Sequence, residues 1–197
     1  MRLDKFWIVT RPTATSALGD IAFETDIPRL ILQLKGGLNP GEIEAAFTRD
    51  KGALGLVINK PIDIKLKNLF EKVELTLERD DLAETPVYFG GPVQTERGFV
   101  LHERLSSEEG HYNSSLQIPG GLEMTTSKDV LEAISQGVGP KKVLVTLGYS
   151  GWGAGQLEDE MSRNGWINVN AEPGIIFDTP VEQRYDKALS LLGIDPR

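Results

Sequence analysis

The chain has no cysteine among its 197 residues. That removes disulfides, thiolate zinc sites, iron–sulfur ligation and cysteine nucleophiles from consideration. It has only two histidines, His102 and His111, nine residues apart and in different predicted elements. They make no H-E-x-x-H pattern, so no metal set is expected. No apolar run approaches the ~18 residues of a membrane-spanning helix. The N-terminal stretch MRLDKFWIVTRPTATS has an acid between its early cations and no long apolar segment, so a signal peptide is not expected. Basic excess is also missing. Against 29 acidic groups stand 21 basic ones, a net charge of −8. Residues 1–50 carry 6 basic and 7 acidic groups, so nearly all of that excess follows them. An acidic body repels phosphate backbones, which disfavours direct binding of nucleic acid.

What is present is ordinary for a globular protein: 40% apolar and 25% charged residues, with no repeat or low-complexity tract. KFWIV (5–9) and RLILQL (29–34) read as short strands, and EIEAAF (42–47) as a short helix. ALGLVIN (53–59) is almost wholly apolar, as a strand covered on both faces would be, and is expected to stop at Lys60-Pro61. Leu66, Leu69, Phe70 and Val73 fall on one face of a helix, with Asp63 as its expected N-cap. PVYFGGPV (86–93) and GFVLH (98–102) are expected to form a hairpin. Residues 105–121 read as a surface loop, LEMTT (122–126) as a strand, and the next segment as a helix with Val130, Leu131 and Ile134 inward. KVLVTL (142–147) is a buried strand, QLEDEMSRN (156–164) a helix, and WINVN (166–170) and GIIFD (174–178) short strands. Thr179, Pro180 and Glu182 form a capping box for a last helix that buries Tyr185, Ala188, Leu189 and Leu192. Irregular alternation of this kind predicts an α+β (mixed α/β) fold, a mixed sheet covered by helices.

The stretch VLVTLGYSGWGAGQLEDEM (143–161) carries the strongest functional question. GYSGW misses the nucleophile elbow G-x-S-x-G by one residue, because Trp152 stands where the second glycine belongs. Both histidines precede Ser150, against the usual triad order of that fold. The glycines at 148, 151, 153 and 155 do not fit a phosphate-binding fingerprint, and Glu158, Asp159 and Glu160 at the helix start would repel a phosphate. A tight structural bend is therefore the leading reading, with Trp152 either plugging a core or facing a partner. Asn59-Lys60-Pro61 and Gly90-Gly91-Pro92 each close a predicted strand. If both strands share a sheet, their ends line a common crevice; turn chemistry alone is the plainer alternative.

The blocks GALGLVINKP (52–61), VYFGGPVQTERGFVLH (87–102), LEMTTSKDVLEAI (122–134), VLVTLGYSGWGAGQLEDEM (143–161), NGW (164–166) and IIFDTPVEQRYDKALSLLGID (175–195) together resemble the AlgH/YqgE family of bacterial proteins. The resemblance covers about residues 51–195. It implies a cytoplasmic α+β protein with sheets packed between helices in two intimately joined subdomains, and a link to regulation of alginate production. It brings no settled activity, cofactor or catalytic residue. Residues 1–50 depart from the family pattern and are treated as a divergent N-terminal segment ahead of an AlgH/YqgE-like domain at 51–197.

The functional expectation is a non-catalytic cytoplasmic binding or regulatory protein without a cofactor, a monomer or weak oligomer. Its partner is an unidentified protein or small molecule. The candidate contact residues are Asn59, Lys60, Pro61, Gly90, Gly91, Pro92, His102, Tyr149, Trp152 and Gln156. The alternative is a hydrolase or transferase using Asn59, His102 and acidic residues in a crevice at the strand ends.

Overall fold

The computed structural model describes residues 8–10, 30–35, 53–105, 111–118, 121–163, 166–169 and 172–193. The expected helix at 42–47 lies outside them. The chain forms a mixed sheet with helices on both faces, an α+β fold. In chain order the strands are β1 (Ile8–Thr10), β2 (Leu30–Lys35), β3 (Ala53–Val57), β4 (Pro61–Lys65), β5 (Pro86–Phe89), β6 (Val93–Glu103), β7 (Ser115–Ile118), β8 (Leu122–Thr125), β9 (Val143–Trp152) and β10 (Ile167–Val169). The helices are α1 (Leu66–Lys72), α2 (Asp80–Ala83), α3 (Lys128–Ser135), α4 (Gln156–Ser162) and α5 (Arg184–Ser190). A π-helical turn at Gly174–Asp178 and a 3-10 turn at Val181–Gln183 lead into α5.

The strand order is β10-β1-β2-β3-β9-β6-β8-β7, with β4 and β5 branching from β9. All these pairings are antiparallel except β5 with β9. Both described N-terminal strands join this sheet, and β2 supplies the neighbour that β3 needs. β9 is the shared axis. Residues 143–149 pair with β6, Thr146 and Leu147 pair with β5 on the other edge, and Ser150–Trp152 pair with β3. The bend between these halves is Gly148, at φ 72°.

That handover requires backbone to cross backbone. A Cβ on Gly90 would lie 2.2 Å from the Gly148 carbonyl oxygen, and one on Gly91 would lie 2.1 Å from the Tyr149 carbonyl carbon. Only hydrogen fits at either place. The Gly90 N–H donates to Leu147 O (2.8 Å), and the Val57 N–H donates to Gly90 O (2.9 Å). Gly90 therefore satisfies β9 with one group and β3 with the other.

The two sheet faces bury separate clusters. Leu54, Leu56, Ile58, Phe99, Leu101 and Met124 pack with the π-helical turn and α5. Phe70, Val87, Val100, Val130, Ile134 and Val145 pack with α1, α2 and α3. Phe99 and Phe70 are each fully buried, worth about 1.5–3 kcal/mol apiece by area.

Several sequence expectations need correction. The bend expected at GYSGW falls at Gly148 but does not end the strand, because β9 runs on to Trp152. The 86–93 and 98–102 segments do not form a hairpin; β9 lies between β5 and β6. β3 stops at Val57, ahead of Lys60-Pro61 as expected, and Pro61 then opens β4, the first-residue place where a strand tolerates proline. Asp63 lies inside β4 and caps nothing; Lys65 holds the N-cap position of α1. Residues 105–121 contain β7. GIIFD is a π-helical turn, and the Thr179 hydroxyl donates back to Gly174 O instead of capping a helix. Ala188 and Leu189 are buried as expected, whereas Leu192 is 42% exposed.

Gly91→Ala is expected to destabilise the protein by at least about 3 kcal/mol, because no flexible side chain can give way. Gly98→Ala, where an added Cβ meets nothing within 4 Å, is expected to stay within roughly 0.5 kcal/mol. Urea unfolding of the two variants checks both.

Candidate functional site

The ends of β3, β5 and the middle of β9 do meet, and they meet backbone to backbone. The Phe89 N–H donates to Lys60 O at 2.8 Å, which closes a corner made of Ile58–Pro61 on one side and Phe89–Pro92 on the other. Asn59, Lys60 and Pro92 are half-buried there and Pro61 is exposed, while Gly90 and Gly91 are buried against β9. The Lys60 ammonium sits 4.8 Å from the centre of the Phe89 ring, a cation–π contact. Tyr149 contributes its backbone to the glycine crossing, and its ring stacks edge-on against Phe99 at 5.6 Å.

Beneath the corner lies Arg184, 6% exposed, which the sequence reading missed. Its guanidinium donates to the carbonyls of Ile58 and Thr179 and lies 5.1 Å from the Tyr88 ring centre. Burial pushes its pKa below the ordinary arginine value. The arginine ties the entry to α5 onto the end of β3. A cation in a helical stretch beside Tyr185 gave no sign in sequence of pointing inward.

Trp152 and Gln156 belong to a different place. Trp152 is 5% exposed and packs with Ala53, Val57, Leu157 and Trp166. Its ring meets Trp166 edge-on at 5.8 Å. The Glu160 carboxylate collects the N–H groups around this pair: Trp166 Nε1 at 2.7 Å, Trp152 Nε1 at 3.4 Å and Gln156 Nε2 at 2.9 Å. Gln156 also accepts the Gly153 N–H at 3.0 Å. Of the two readings for Trp152, the core plug is the one realised: its indole faces inward.

His102 forms a third locality. It is fully buried on β6, with Nδ1 2.8 Å from Glu103 O and Nε2 3.0 Å from Thr125 Oγ1. A carbonyl oxygen only accepts, so Nδ1 carries the proton and Thr125 donates to Nε2. Desolvation lowers the His102 pKa, opposed by the Glu103 carbonyl and the Glu123 charge. His102 and Ser150 do not share a site. His102 is level with Val143 on β9, and Ser150 lies seven residues further along, roughly 20 Å away at the rise of a strand. Among the described residues, no group of three or more His, Asp or Glu is placed to hold a metal ion. No helix among them is long and apolar enough to cross a membrane.

His102 titrates more readily in the unfolded chain, near its ordinary value of 6.5, than in the fold. Between that value and the lowered native one, the unfolded state binds more protons, so stability is lost as pH falls. The urea midpoint is expected to drop from pH 7 to pH 5.5, and His102→Gln is expected to flatten that drop.

The comparisons follow the same blocks of sequence. A family model described as AlgH-like matches residues 46–197. A UPF0301 protein of Polaromonas sp. (strain JS666 / ATCC BAA-500) is 70% identical, over 79% of this chain and 85% of the relative. One from Variovorax paradoxus (strain S110) is 65% identical, again over 79% and 85%. The solution structure of the AlgH protein from Pseudomonas aeruginosa is similar with a TM-score of 0.69 at 36% identity, over 98% of this chain and 89% of that one. A Corynebacterium diphtheriae protein shares the fold at a TM-score of 0.58 and 16% identity, over 86% of this chain and 76% of that one. A family match across most of the chain, with relatives this similar along most of their own length, leaves one assignment: the chain belongs to the AlgH-like UPF0301 family.

Proposed function

We propose that the chain acts by binding, as a cytoplasmic regulatory protein, and that the corner at Asn59–Pro61 and Gly90–Pro92 is its contact surface. The observation that carries this reading is the backbone-locked corner itself. Its backbone hydrogen bonds hold in place an exposed proline and a lysine that lies against an aromatic ring. A contact surface fixed in advance loses little freedom on binding. The separation of Ser150 from His102, and the inward turn of Trp152, support binding over the chemistry that the sequence stretch around them suggests.

The partner in this reading is a protein or a small molecule. Membership of the AlgH-like family supports placing the regulatory output in exopolysaccharide production, with the protein acting as a monomer or weak oligomer. The net charge of −8 favours an effect on transcription through another protein over direct contact with DNA.

Lys60→Glu is expected to fold normally and to lose at least one partner that the parent protein retains in a pull-down from its own cells. Retention of every partner by a folded Lys60→Glu protein contradicts the corner as the contact surface.

A further inference from the structure

The hydroxyl chain that satisfies His102 does not end in the core. Thr125 Oγ1 lies 2.7 Å from Ser115 Oγ, across the β7–β8 pairing. Its direction follows from the Glu103 carbonyl. With the proton on Nδ1, the Thr125 hydroxyl spends its hydrogen on Nε2, and its lone pair accepts the hydrogen of Ser115. The order Ser115 to Thr125 to His102 to Glu103 O is thus a one-way relay from a half-buried serine to a buried neutral imidazole.

Two further observations bear on what that relay does. Glu123 is directly opposite His102 in the β6–β8 register, so both side chains share a sheet face. Glu123 is 2% exposed. A carboxylate so placed stabilises an imidazolium beside it, the form His102 takes if a proton travels inward. Ser114, immediately before Ser115, holds φ 51°, a left-handed conformation that a serine adopts at some cost. Ser115 itself lies on β7, the last strand of the order at that side among the described residues.

We infer that Ser115 is a covalent acylation site, a serine nucleophile primed by the Thr125–His102 relay and reactive toward activated esters. This goes beyond the binding role proposed above and involves neither the corner nor its partner. Ser115 Oγ forms a bond to the acyl carbon as the bond from that carbon to the leaving oxygen breaks. The Ser115 proton passes to Thr125 Oγ1 while the Thr125 proton passes to His102 Nε2. The leaving group departs as its anion. His102 is fully buried, so the proton leaves by the way it came: Nε2 returns it to Thr125 Oγ1, which passes its other hydrogen to the leaving-group anion or to water at the half-buried Ser115 end, and the relay returns to its resting direction. The product is an acyl-serine at the edge of the sheet. Thr125 and His102 are positioning and relay residues, since neither touches the acyl donor.

The test uses the full-length chain and p-nitrophenyl acetate, with peptide mass spectrometry to locate acetyl groups over time. Ser115 is expected to be acetylated faster than the other serines of the chain. Thr125→Val, close in shape but without the hydroxyl, is expected to slow it about a hundredfold, the usual size of a general-base contribution. Thr125→Ser is expected to restore most of the rate. Absence of acetyl at Ser115 in the parent protein overturns the inference with no variant needed. An unchanged rate in Thr125→Val overturns it too. Should Thr125→Val fail to fold, Thr125→Ser against His102→Gln supplies the same contrast, and equal rates in those two overturn the relay.

Discussion

Two chain segments pass each other at a distance that admits no side chain. Gly90 and Gly91 lie against the carbonyl of Gly148 and the peptide joining Tyr149 to Ser150, where a Cβ would come within 2.1–2.4 Å of backbone atoms. The rest of the fold is arranged around that contact. Because β5 leaves β9 there, β3 can take its place, and one strand then serves two halves of the sheet. The hydrogen bonds through Gly90 bind the halves together, so neither segment has an independent register. These two clusters lie on opposite faces of this single layer, one covered by α1, α2 and α3 and the other by the π-helical turn and α5.

The same constraint accounts for where the candidate contact surface lies. Chain leaving the crossing at Gly91 and chain arriving at Ile58 are both turned outward, and the corner they make carries Lys60, Pro61, Phe89 and Pro92. Arg184 anchors its underside through the carbonyl of Ile58. Removing water from a guanidinium is costly, and the two carbonyls and the Tyr88 ring offset part of that cost. The buried tryptophan pair and the His102 relay occupy opposite ends of β9 and answer to different partners, Glu160 in one case and Thr125 in the other.

Sequence patterns revealed the strongly periodic and strongly apolar elements. The apolar run at 53–57, the helix with Leu66 and Phe70, and the helix with Val130 and Ile134 were legible because burial leaves a repeat. The α+β class and the family resemblance were legible for the same reason, spread over several blocks. What stayed hidden was non-local. Gly148 looks like the start of a loop until Gly91 is seen against it, and the segments around residues 90 and 98 look like a hairpin until β9 comes between them. Ser115 and Thr125 carry no motif, since their relation to His102 exists only across strands. GIIFD reads as β from its isoleucines, yet the Thr179 hydroxyl bonded back to Gly174 O and the tertiary packing of Ile175 and Ile176 hold it in a helical turn. Of the proposed contact residues, Asn59–Pro61, Gly90–Pro92 and the Tyr149 backbone came together, and His102, Trp152 and Gln156 did not.

Native-state hydrogen exchange at three backbone amides tests the crossing most directly. The N–H groups of Val57, Phe89 and Gly90 bond to Gly90 O, Lys60 O and Leu147 O. If the crossing joins the two halves of the sheet, all three exchange only with global unfolding, at the same free energy as the centre of β9. Exchange of these amides at loop-like rates, while the β6–β9 amides stay protected, would show two independently stable halves and contradict the account.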